Sequence, residues 1–126
     1  MYDTLETVSA SSAKGYVCAP TVMKAGLALT SQQNDGLIKA LNALGGGCYT
    51  RKSTCGALIG GCCVIGFYAG RAQDNESQDD LLIPMTREFV AWFEDVYSNK
   101  YNSLDCAAIR RPSDDGLEER PCNAII

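Results

Sequence analysis

The sequence contains no histidine, and that absence removes several chemistries at once. Without imidazole there is no Cys–His zinc finger, no His-ligated metal, no histidine general base and no CxxCH haem attachment. Cations are also scarce, with 11 Lys and Arg against 15 Asp and Glu, a formal charge of -4 and a pI near 4.7. A nucleic-acid footprint needs cations gathered on one face, so nucleic acid is excluded as a partner. Long apolar runs are missing too. The longest, Ala57 to Ala69, is broken by glycines and falls short of the roughly 20 residues that a membrane-crossing helix needs. The first residues carry early acids and no apolar signal core, so no membrane insertion is expected and the expected location is cytoplasmic.

What remains is a chain of 126 residues, 46% of them hydrophobic, which suits one globular domain spanning 1–126. Its partners are expected to be proteins or small molecules. Seven cysteines in this length is a high share. An odd number with no export signal argues against a disulfide-stapled scaffold and leaves ligands, catalysts or small buried hydrophobes. With imidazole absent, metal chemistry must rest on thiolates, and thiolate-only sites favour iron–sulfur clusters or structural zinc.

Helical periodicity runs through the chain, and no alternating strand pattern persists beyond a few residues. The expected fold is all-α, a compact single-domain bundle of about five to six helices. A short helix spans Thr4 to Ala13 and stops at Gly15. A second runs from Cys18 to about Leu29, with Pro20 tolerated in its first turn. Ser31 is the expected cap of a third, whose Leu37, Ile38, Leu41 and Leu44 recur at helical spacing until Gly45-Gly46-Gly47 ends it. A central apolar helix over about 54–70 is expected to be capped by Ser53 or Thr54. It is apolar nearly all round, which places it in the middle of the domain. Its glycines at 60, 61 and 66 each cost about 1 kcal/mol against alanine, so a close neighbouring helix or a cofactor must use the space they leave. After a polar loop over Ala72 to Asp80, Thr86 is expected to cap an amphipathic helix carrying Phe89, Phe93, Val96 and Tyr97 toward the core. A last small helix would hold Cys106 and Ile109, before a polar stretch leading to Cys122.

Two other motifs fail on inspection. Gly46 to Ser53 approaches a phosphate-cradling loop, but Arg51 stands where glycine is required and a helix, not a strand, precedes it. Cys122 is fifth from the end, where a prenylation box needs it fourth. The vicinal Cys62 and Cys63 point about 100° apart on a helix, which suits two small packing residues better than a site. Cys18 and Cys55 both fall at helix starts, where unpaired N–H groups and the helix dipole favour a thiolate.

The string Lys14-Gly15-Tyr16-Val17-Cys18-Ala19, the Gly45-Gly46-Gly47 run, Cys55-Gly56-Ala57-Leu58-Ile59-Gly60, Gly70-Arg71, the helix from Phe89 to Phe93, Cys106 and Cys122 follow one another in a recognisable order. Together they resemble the C-GCAxxG-C-C family of redox-active proteins, over almost the whole chain. The resemblance implies a helical domain related to the non-haem part of split-Soret cytochromes, where a similar domain accompanies an iron–sulfur centre. It implies Cys18, Cys55, Cys106 and Cys122 as ligands, with Gly56 and Gly60 shaping the site. The expectation is therefore a [2Fe-2S] cluster held by those four cysteines for electron transfer with a redox partner protein, the chain acting as a homodimer or as a subunit of a larger redox assembly. A metal-free dithiol protein and a structural zinc domain remain the alternatives. Cys48, Cys62 and Cys63 fall outside the four, although Cys48 lies only seven residues before Cys55.

Overall fold

A computed structural model describes residues 4–98 and 104–106. Within them the chain forms five α-helices and no strand: α1 Thr4–Ala13, α2 Cys18–Ala28, α3 Asp35–Leu41, α4 Gly56–Ala69 and α5 Leu82–Phe93. The all-α expectation holds for these residues. None of the helices is long and apolar enough to cross a membrane.

Local chemistry explains where each element starts. Val17 is extended and leads into α2, and Pro20 takes its third position, where a backbone N–H would have no partner within the helix. Thr21 is fully buried in α2, and its hydroxyl donates to the Val17 carbonyl at 2.8 Å. The cap of α3 is Asn34, not Ser31: the Asn34 side-chain oxygen accepts from the Leu37 N–H at 3.0 Å. Ser31 has a φ of 54° and belongs to the turn that ends α2. The central helix starts one or two residues later than expected, with Cys55 itself in the capping position. Likewise α5 starts at Leu82, ahead of Thr86, whose hydroxyl instead donates back to the Leu82 carbonyl at 2.7 Å.

The most extensive helix contact among the described residues is that of α2 with α4. A Cβ at Gly60 would lie 2.9 Å from the Ala19 carbonyl oxygen and 3.0 Å from Val22 Cβ, so the missing side chain lets the two backbones meet. Tyr68 ties the far ends of the same helices together, its hydroxyl donating to the Gly26 carbonyl at 2.7 Å. Two apolar clusters flank α4. Ala19, Met23, Leu27 and Leu41 form one, against which Cys63, Val64 and Phe67 pack. Cys55, Ala57, Leu58 and Phe93 form the other, with Cys62, Phe89 and Tyr97 packed against it.

The helix is therefore central, but not buried all round. Gly56, Ala57, Leu58, Gly60 and Ala69 are buried, while the stretch from Gly61 to Phe67 is half-buried and Tyr68 is exposed. Beyond the faces covered by α2 and α5 the helix is open at Gly66, where a Cβ would meet no other described atom within 4 Å. The aromatic stripe of α5 is corrected in one place: Phe93 is buried and Phe89 and Tyr97 are half-buried, but Val96 is exposed.

Candidate redox site

The site grows from the place where α2 and α4 begin. Cys18 is the first residue of α2, and Cys55 caps α4. Gly56 allows the two starts to meet, because a Cβ there would overlap Cys18 Sγ and would lie 3.3 Å from the Leu44 carbonyl oxygen and 3.4 Å from the Ala19 nitrogen. The CGAxxG string thus acts twice on α2: Gly56 seats the Cys18 sulfur, and Gly60, one turn on, seats the α2 backbone.

Cys106 reaches the same place through a short antiparallel pairing. Thr54 bridges Asp105, the Cys55 N–H donates to the Leu104 carbonyl at 2.8 Å, and the Cys106 N–H donates to the Ser53 carbonyl at 3.0 Å. These bonds align Cys55 and Cys106 on one face of the pairing, since residues two apart along extended chain share a face. Gly47 closes the other side. A Cβ on it would come within 2.7 Å of both Cys106 Cβ and the Ser53 carbonyl oxygen. To present Gly47 there the chain makes one left-handed turn, with φ of 58°, 59°, 57° and 61° at Gly46, Gly47, Cys48 and Tyr49. For the two non-glycine residues this conformation costs about 1–2 kcal/mol each.

Electrostatics link the three thiols. Burial pushes the Cys55 thiol up from its ordinary pKa, the backbone N–H groups of Ala57 and Leu58 pull it down, and Cys18 and Cys106 each push it up again. Those two N–H groups face the sulfur without forming a side-chain cap hydrogen bond. The expectation of a thiolate at Cys55 is thereby corrected: the residue is only 4% exposed, and the loss of water outweighs the helix start. Burial also raises Cys62, with Cys63 adding to it, and burial raises Cys63. Exposed Cys48 and buried Cys55 should accordingly differ in reactivity. Brief iodoacetamide treatment of the reduced, metal-free protein at pH 7.5 should label Cys48 first and Cys55 last by peptide mass mapping. Equal labelling of the two would show that Cys55 is not shielded.

The structure thus places Cys18 and Cys106 beside Cys55, while Cys62 packs against the cluster that contains Cys55 and Cys63 against the other cluster. Cys122 lies outside the described residues. None of the six described cysteines is in a disulfide, and among the described residues no group of three or more Cys, Asp or Glu is arranged to hold a metal ion. Gly47 and Ser53 help shape the site, whereas the sequence reading took Ser53 as a candidate cap of α4. The run of three glycines was read as a helix stop and as part of the family pattern, not as a surface against Cys106.

Comparison with known proteins yields one match. A family model described as "Putative redox-active protein (C_GCAxxG_C_C)" matches residues 16–126. No curated protein and no solved structure matches the chain.

Proposed function

The chain belongs to the C_GCAxxG_C_C family of redox-active proteins, and from that premise we propose that Cys18, Cys55 and Cys106, joined by Cys122, hold an iron–sulfur centre for electron transfer. The observation that carries this reading is the convergence of Cys18 and Cys106 on Cys55 where α2 and α4 begin. The donor set suits such a centre: the ligands are thiolates only, and Gly56 and Gly47 let Cys18 and Cys106 approach the start of α4 closely. The Cys55 thiol, held from its ionised form by burial and by its neighbours Cys18 and Cys106, gains from a bound cation, because metal binding deprotonates it and offsets that repulsion. The positive ends of two helices add to that stabilisation. An iron–sulfur centre supplies one-electron transfer when bound. The protein supplies the sulfurs, keeps Cys55 away from water and orients Cys18 against Gly56.

The second reading is a metal-free dithiol couple, favoured by the absence of a metal-holding arrangement among the described residues. Elemental analysis of protein purified without oxygen tests both. Iron and acid-labile sulfide in equal amounts, with a coloured protein, are expected. Colourless, metal-free protein whose thiols titrate in pairs would replace the cluster by dithiol exchange, and stoichiometric zinc would make the site structural.

A further inference from the structure

Helix α5 has a second apolar edge that no described element covers. Leu81, Met85, Trp92 and Val96 are 58%, 45%, 52% and 41% exposed, and their spacing of four, seven and four residues puts them along one side of the helix and its continuation. Single exposed apolar residues are ordinary, but a contiguous stripe marks an interaction surface, and Trp and Met are enriched in such surfaces. We propose that this stripe docks a redox partner protein whose own apolar patch is edged with Lys and Arg, a reading that rests on the redox function above.

Charge and position select this occupant. Residues 79–96 carry five acids, Asp79, Asp80, Glu88, Glu94 and Asp95, against the single base Arg87. All six are exposed. Glu88 follows Met85 by three residues and borders the stripe on the side away from buried Phe93, and Asp80 immediately precedes Leu81 at its start, whereas Arg87 and Glu94 both fall on the opposite side of the helix. A second copy would bring acids against acids, and such juxtaposition costs affinity. A cationic rim gains by the same contact. Beneath the stripe lies the site: the Trp92 ring meets the Phe93 ring edge to face at 6.4 Å, and Phe93 belongs to the same buried cluster as Cys55. A partner seated on Trp92 is therefore separated from the Cys55 cluster by little more than one layer of aromatic side chains.

Trp92 is the only tryptophan of the chain, so its emission reports on this surface alone. The probe is an 18-residue amphipathic helix with Leu along one face and Lys along its edges, compared with the same peptide carrying Glu in place of Lys, each added to the full-length protein. The Lys peptide should shift Trp92 emission to the blue in a saturable way, and the Glu peptide should not. The double change Glu88→Lys with Asp80→Lys should weaken binding about tenfold, while Asp35→Lys on α3 should leave it unchanged. An unchanged affinity in the double variant would overturn the proposal, as would a blue shift driven by the protein's own concentration. Iron analysis of the same samples separates this from the redox reading: metal-free protein that still docks the peptide retires the cluster alone, and iron-bearing protein that ignores it retires the docking surface alone.

Discussion

Serine in place of Cys18, Cys55 or Cys106 should abolish or visibly alter the cofactor, and Cys122→Ser should do the same by the pattern of the family. The change is nearly isosteric, so it tests the sulfur and not the packing. Each of the three described thiols is held by a separate device: the start of α2 and Gly56 for Cys18, the cap of α4 for Cys55, and the pairing with Ser53 for Cys106. A hydroxyl in those positions is a poor ligand for iron. Alanine at Cys62 or Cys63 should leave iron content and absorbance intact while costing about 1 kcal/mol of stability through lost packing. Alanine at Cys48 should affect neither, since that side chain is exposed. Iron content and visible absorbance across the seven single variants decide the assignment. A cofactor that survives loss of any two of the four, or disappears with Cys62 or Cys63, would show that the sulfurs are wrongly chosen.

Gly60→Leu should be the most damaging single change outside the cysteines, and the structure says why it should act on folding. The first added carbon already meets the backbone oxygen of Ala19 at 2.9 Å, and backbone cannot swing aside as a side-chain tip can. Overpacking of this kind commonly costs about 1–3 kcal/mol, and separation of α2 from α4 would add the loss of both flanking clusters. Thermal unfolding should show a fall of several degrees or a failure to fold. Gly56→Ala provides the contrast, because its new methyl group overlaps only Cys18 Sγ, the movable end of a side chain, while the backbone atoms of Leu44 and Ala19 stand 3.3 and 3.4 Å away. That variant should keep most of its helical content by circular dichroism and lose cofactor or change its spectrum. Wild-type stability in Gly60→Leu would make the close approach incidental, and an unaltered cofactor in Gly56→Ala would free Cys18 from the site.

Helix existence was legible because it depends on local information: the recurrence of Leu37, Ile38 and Leu41, the break at Gly15 and the capping chemistry before each run. The boundaries were less so. Asn34 and Ser31 are both good caps by composition, and only the path of the chain, with Ser31 at positive φ, decides which one meets the free N–H groups. Cys55 displaced Ser53 and Thr54 as the cap of α4 for a tertiary reason, since the residues before it are drawn into pairing with Leu104, Asp105 and Cys106. The exposed side of α4 was illegible for a related reason: uniform apolarity says that a helix seeks cover, without saying how many neighbours arrive.

By itself the sequence determined an all-helical domain, excluded every imidazole-based site and, through the order of its cysteines and glycines, pointed to a thiol-based redox family. These conclusions rest on composition and on contacts between near neighbours in the chain. Tertiary structure alone decided that Cys18 and Cys106 come near Cys55 while Cys62 and Cys63 part into separate clusters, and that burial pushes the Cys55 thiol up against the pull of its helix start. The reason is that burial and convergence are properties of space. Residues 18, 55 and 106 are separated by dozens of positions, and only the crossing of α2 with α4 and the short pairing of Thr54 with Asp105 close those distances and remove the water that sets a thiol's charge.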